Sequence, residues 1–139
     1  MRRAKWLGSK GLFVYNFLCK HNQKQSMNQK IVSEAFKILS SQGSVPLSPG
    51  VRTASGIDLC LGAALVDAAN VVRGVTADER DSARMRMVAN FSPDSILKEA
   101  AAANLSMQMC QDAIVHNDSL KDDSRKAGVM EWLQAVRAA

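Results

Sequence analysis

The stretch that decides the fold is GIDLCLGAALVDAANVVRG, residues 56–74. Over residues 57–72 its strongly polar side chains are limited to Asp58, Asp67 and Asn70. A helix that is apolar on almost every side is covered by protein on most of them. Gly62 and the alanines beside it would let neighbouring elements approach closely. We therefore predict a buried central helix here, with the rest of the chain packed around it.

Apolar residues at helical spacing also precede this stretch. They recur three or four positions apart from Ile31 to Leu39, and Gly43 ends the run. The segment that follows, residues 43–56, holds two prolines and three glycines, which is typical of an ordered loop. No segment alternates apolar and polar residues convincingly with a period of two, so no strand is predicted.

Two helix-start signals follow the central stretch. TADE, residues 76–79, matches a capping box and predicts a short, charged helix to about residue 90. SPD, residues 92–94, combines a serine cap with a proline at the first helical position. The helix predicted after it carries the most regular apolar seam in the chain, with separations of four and three: Ile96, Ala100, Ala103, Met107, Cys110 and Ile114.

A last helix, predicted from about Asp122 or Ser124, would turn Trp132 and its apolar neighbours inward. The predicted fold class is therefore all-α: a compact bundle of about five helices over residues 27–139, preceded by a basic N-terminal arm, residues 1–26.

The positive charge of the chain is concentrated in the arm. The 139 residues have a net charge of +5. Residues 1–26 hold six of the 18 basic side chains and no acidic one, which leaves 12 basic and 13 acidic side chains on the body. Phosphate binding needs basic residues clustered on the folded surface. Contact with nucleic acid or an anionic membrane is therefore predicted only through the arm.

The arm itself has several interpretations. It could be a membrane-surface or acidic-partner contact, a targeting segment, or an extension upstream of a start at Met27. No apolar run in the chain is long enough for an integral membrane helix.

The three cysteines, Cys19, Cys60 and Cys110, are an odd number at long spacings. They match neither a disulfide framework nor a zinc ligand set, so a reducing, cytoplasmic location is predicted. Cys60 and Cys110 fall on apolar faces and are interpreted as small core residues. We assign no catalytic residue, metal or cofactor, and the interpretation leans away from an enzyme.

The segment AIVHNDSLKDDSR, residues 113–125, is the most polar cluster in the body. His116 suits the last turn of a helix, Asn117 suits a left-handed C-terminal conformation, and Asp118 suits the turn that follows. The acids do not have the spacing of a calcium loop. A structural corner between two helices is the favoured interpretation, and a ligand site at His116, Asn117 and Asp118 is the alternative.

A second candidate site is GVRTASG, residues 50–56. Arg52, Thr53 and Ser55, with backbone N–H groups at a helix N-terminus, could bind a phosphate or carboxylate. The segment lacks the P-loop pattern, and the alternative is that Thr53 or Ser55 simply caps the central helix.

Asp67 lies on the apolar central helix and needs a partner, because a buried carboxylate without one is costly. The expected partner is one of three arginines: Arg84, Arg86 or Arg125.

Two stretches resemble a small bacterial and phage domain family of unknown function. GIDLCLGAAL, residues 56–65, is similar to the family's cysteine followed by a small-residue helix. AIVHNDSLKDDSRKAGVMEWL, residues 113–133, resembles its Ile-x-x-Trp-Asn-Asp corner, with His116 where the family has Trp. The corresponding positions are Ile114, Asn117, Asp118, Arg125, Val129 and Leu133. The resemblance covers about residues 31–137 and implies a compact helical domain without a known activity or ligand.

The leading functional hypothesis is a non-enzymatic domain that acts by protein–protein binding or self-association, using any part of the 96–114 seam that its own core leaves uncovered. The alternative is a small-ligand or anion-binding domain that uses the 50–56 loop and the 116–118 corner.

Overall fold

A computed structural model describes residues 27–54 and 56–138. Contacts divide the chain into residues 1–30 and residues 31–139. Of the first unit, only residues 27–30 are described, and they are helical. The predictions for the arm, Cys19 and Ser55 therefore fall outside the described residues.

The described residues form six helices and one two-stranded sheet. In chain order they are α1 over residues 27–40, β1 Gly50–Thr53, β2 Gly56–Leu59, α2 Leu61–Val72, α3 Ala77–Asn90, α4 Pro93–Ala102, α5 Met107–Ser119 and α6 Arg125–Ala138. The prediction of a mostly helical chain is confirmed, whereas the helix count was one too low and the hairpin was missed. No helix in these ranges has the length and hydropathy of a membrane span.

Helix α2 is the centre of the domain, as its composition predicts. Every residue from Leu61 to Asn70 is buried, and α2 packs against β2, α3, α4 and α5. Gly62 allows α5 to approach closely, because a Cβ there would lie 2.9 Å from Cγ1 of Ile114. The small residues of α2 thus set the distance at which the other helices pack.

The apolar seam from Ile96 to Ile114 lies on two helices, not one. Helix α4 ends in a left-handed cap, with Asn104 at φ 60° and Leu105 N–H donating to the Ala100 carbonyl. Ser106 then accepts from the backbone N–H of Met109 and begins α5. Both helices pack against α2, so the domain's own core covers most of the seam.

The segment predicted as a loop and as the start of the central helix forms an antiparallel hairpin instead. Gly50 pairs with Leu59 and Thr53 with Gly56. The Gln42 side chain bonds both backbone groups of Leu59, accepting from its N–H at 2.8 Å and donating to its carbonyl at 3.0 Å. The Gln42 side chain thus forms with Leu59 the two hydrogen bonds that a neighbouring strand would form. Helix α2 begins only at Leu61, after Cys60, so the interpretation of Thr53 as its cap was wrong.

Ion pairs join α3 to its neighbours. The buried carboxylate of Asp67 accepts from Arg80 at 3.0 and 3.2 Å and from Arg84 at 3.0 Å. Arg84 was one of the expected partners, and Arg80 was not among them. Arg86 instead donates to Glu99 on α4 at 2.7 and 2.9 Å. The predicted capping box also forms its first bond, since Thr76 accepts from the backbone N–H of Glu79.

Candidate functional site

Asn117 lies near the end of α5, and its side chain joins three segments of the chain. The residue is 1% exposed. Its Oδ1 accepts from the backbone N–H of Leu61 at 3.1 Å, and its Nδ2 donates to the Pro46 carbonyl at 3.2 Å. Asn117 itself is helical, so the expected left-handed conformation was wrong. One amide therefore fixes the start of α2 against the loop before the hairpin.

Arg125, the first residue of α6, completes this junction. It is 4% exposed and donates to the carbonyls of Asn117 at 3.1 Å and Leu120 at 2.7 Å. It also donates to the Val45 carbonyl at 3.4 Å and to the Asp122 carboxylate at 2.8 Å. Its role is to satisfy buried carbonyl groups at a helix end; it is not a partner of Asp67.

His116 faces away from this junction. Its ring stacks on Trp132 of α6, with centroids 6.1 Å apart and planes 26° from parallel. Its Nε2 lies 3.3 Å from the Gly128 carbonyl. The 116–118 corner therefore divides its three side chains: His116 contacts α6, Asn117 points inward, and Asp118 is exposed.

A cavity of about 410 Å³, which we call the apolar cleft, lies beside Asn117 and Asp118. Loop residues 47–49 form one wall, and residues of α4 and α5 form another. The start of α2 also contributes. The residues lining the cleft are Leu47, Ser48, Pro49, Cys60, Phe91, Pro93, Ile96, Ile114, Asn117 and Asp118.

Phe91 places an aromatic side chain at this cleft in an unfavourable backbone conformation. It follows the last residue of α3 with φ 48° and ψ 36°, in the left-handed region, and it is 57% exposed. Leu47, on another part of the lining, is 54% exposed. A bulky residue in the left-handed region is strained, and such strain concentrates at functional positions.

Cys60 is a buried residue in the lining of the cleft. Burial raises the pKa of Cys60 to about 11; the amides of Ala63 and Gly62 oppose the shift and the Asp118 charge adds to it. Burial likewise raises the pKa of Cys110 to about 12. Both groups are protonated at neutral pH, and a thiol is a much weaker nucleophile than a thiolate. The cleft therefore has the chemistry of a binding site and lacks an activated cysteine.

The raised thiol pKa values predict a loss of stability in alkali. Each thiol has a higher pKa in the folded state than the ordinary value of 9.0. The two thiols therefore make their full contribution to the free energy of unfolding below about pH 9. It is lost as the pH rises through the folded values. We expect the wild type to lose free energy of unfolding faster than a Cys60→Ala, Cys110→Ala double variant between about pH 9 and pH 11. The difference should reach up to ~1.4 kcal/mol per pH unit for each thiol. Urea unfolding at several pH values measures it, and parallel pH dependences would contradict it.

The other predicted site residues lie elsewhere. Arg52 and Thr53 line a separate cavity of about 590 Å³ that also contains Asp67, Asp81 and Arg84. Their strand does not lead directly into a helix, and the first N–H of α2 is already bonded to Asn117. The structure therefore does not bring the 50–56 segment and the 116–118 corner to one site. No group of three or more His, Cys, Asp or Glu within the described ranges could hold a metal ion.

Leu47, Phe91 and Pro93 were not predicted from the sequence to belong to a binding site. The available signal was the segment Asn90–Phe91–Ser92–Pro93, in which an aromatic residue occupies the short link between two helices.

Comparison of the chain with protein-family models, with curated proteins and with solved structures finds no match. The resemblance to a bacterial and phage family therefore stays a prediction.

Proposed function

We propose that the domain is a non-catalytic binding module that holds a small, largely apolar ligand in the apolar cleft. The observation that carries the proposal is Phe91, which is held exposed at the cleft in a left-handed backbone conformation. Nothing in the packing of the core requires an aromatic side chain at this position, since more than half of it is exposed. A contact with a ligand would account for it.

The size and lining of the cleft support a small ligand. Its volume of about 410 Å³ lies within the range of ordinary ligand pockets, roughly 300–1,000 Å³. The lining is mainly apolar and includes a few polar groups, as is common in such pockets. Because Asn117 is bonded to two other segments, the polar wall is fixed before any ligand arrives.

The same geometry gives less support to the seam as a surface for a protein partner. Ile96 and Cys110 are buried, and Met107 is the most exposed of its members at 40%. A continuous apolar stripe for a partner helix is therefore not left open along the seam.

A Phe91→Asn variant tests the proposal with 2-phenylethanol as a neutral apolar probe. Asparagine adopts the left-handed region more readily than phenylalanine. The variant should therefore keep most of its stability while losing an aromatic wall of the cleft. In the wild type, the probe should shift the methyl resonances of Ile96 and Ile114, and the variant should bind it several-fold more weakly.

Val115→Asn is the matched control, because Val115 is 68% exposed and is not part of the lining of the cleft. It should bind the probe as the wild type does. The proposal would be contradicted if both variants lost the same affinity for 2-phenylethanol, or if Phe91→Asn bound it as tightly as the wild type.

A further inference from the structure

The charge in the lining of the apolar cleft comes from one acidic side chain. The lining contains one carboxylate, Asp118, and no Lys, Arg or His side chain. The two other cavities described for the domain have charges of both signs in their linings: one has two arginines and three aspartates, and the other has two arginines and two glutamates. The apolar cleft is therefore the cavity of the three whose lining has a negative charge and no positive one.

Asp118 is available to a ligand. Its side chain is exposed and makes no hydrogen bond or ion pair with another residue in the described ranges. Its charge is near enough to Cys60, another residue of the lining, to act on that thiol. Asp118 lies in the last turn of α5, and the carbonyl groups around it are bonded to Arg125 and Ser119, so its carboxylate is the acceptor that remains for a ligand.

The start of α2 is the one feature of the cleft that favours the opposite charge. A helix N-terminus attracts anions through its free N–H groups. Here the first N–H, that of Leu61, is bonded to the Asn117 side chain inside the protein. The carboxylate of Asp118, in contrast, keeps its full charge and its acceptor positions.

We infer that the ligand of the apolar cleft is a small amphiphilic cation: an apolar body, held against Phe91 and Ile114, with an ammonium group directed at Asp118. The inference rests on the proposed function and specifies the ligand chemistry of the same site. The apolar lining accommodates the body of the ligand, and the unpaired carboxylate selects the charge of its polar end. The small volume favours a free arylalkyl or alkyl amine as the ligand.

Three probes of nearly equal size test this inference on the full chain: 2-phenylethylamine, 2-phenylethanol and phenylacetate. Each is titrated while the methyl resonances of Ile96 and Ile114 are followed. An exposed ion pair is worth a few-fold in affinity, so we expect the amine to bind about five-fold more tightly than the alcohol at low salt. Phenylacetate should bind most weakly. The preference for the amine should shrink as the salt concentration rises.

Asp118→Asn should remove the preference for the amine over the alcohol. The control is Asp123→Asn, which removes another exposed carboxylate outside the cleft and should keep the preference.

The outcomes separate this inference from the proposed function. If the alcohol binds as tightly as the amine in these titrations, the cation preference is wrong and the binding module stands. Tighter binding of phenylacetate would likewise overturn the inference, and would assign the charge preference to the α2 N-terminus. If no probe shifts these methyls, the proposed function fails together with the inference about the charge of the ligand.

Discussion

Replacing Arg125 with methionine is expected to lower the free energy of unfolding by about 3–4 kcal/mol. The buried guanidinium donates to the carbonyls of Val45, Asn117 and Leu120. Methionine is long enough to fill much of the same space, but it offers no donor to these three groups. Each buried carbonyl left without a partner costs about 1–3 kcal/mol. The Asn117 carbonyl keeps a long hydrogen bond from the Leu120 N–H, at 3.4 Å, and removal of the buried charge offsets part of the sum. Urea unfolding followed by circular dichroism measures the difference.

Two further variants serve as comparisons for Arg125→Met. Arg125→Lys keeps the charge without the planar fork, so it should lose an intermediate amount. Lys98→Met makes a similar change at an exposed position of α4 and should alter stability by no more than about 0.5 kcal/mol. A loss below about 1 kcal/mol in Arg125→Met would show that the three carbonyls find other partners.

Replacing Asn117 with alanine is expected to cost about 2–4 kcal/mol. The change leaves the Leu61 N–H and the Pro46 carbonyl without their side-chain partners and opens a small space at the end of α5. Because the same amide fixes the wall of the apolar cleft, the variant should also bind 2-phenylethanol more weakly. Thermal and urea unfolding measure the first effect, and the methyl titration measures the second.

The control for Asn117 is Asn90→Ala on α3. Asn90 is exposed and donates to the Arg86 carbonyl within its own helix, so its loss should cost no more than about 0.5 kcal/mol. If Asn117→Ala and Asn90→Ala were equally stable, Asn117 would not be the junction described above.

The elements that could be predicted from the sequence are those whose signal is local. The central helix follows from a run that is apolar on almost every side, and Thr76 and Ser92 cap the helices that they were expected to cap. The break after Ala103 was missed for a physical reason. Helical spacing reports which side of the chain faces the core, and both α4 and α5 face the same helix, α2. The seam therefore keeps its period across a break in the chain.

The hairpin was missed because its stabilising partner is distant in sequence. Gln42, 17 residues before Leu59, bonds both backbone groups of that residue. A glutamine after a helix carries no local sign of such a role. Gly50 adds a second distant requirement, since a Cβ there would lie 2.7 Å from Val88 of α3.

Of the residues named from the sequence as a candidate site, Asn117 and Asp118 line the apolar cleft, whereas His116 does not. Successive residues of a helix point about 100° apart, so three neighbours cannot face one ligand. One contacts α6, one is bonded inside the core, and one is exposed at the cleft. Which residue takes which role depends on where α2 and α6 lie, and the segment itself does not contain that information.

The most direct test of the binding module is the position of a bound probe. Intermolecular nuclear Overhauser effects are measured between the aromatic protons of 2-phenylethylamine and the isoleucine methyls of the full chain. We expect them at Ile96 and Ile114, which line the apolar cleft. Effects confined to Ile38 and Ile57, which line the cavity beside Arg52, would place the ligand elsewhere and contradict the account.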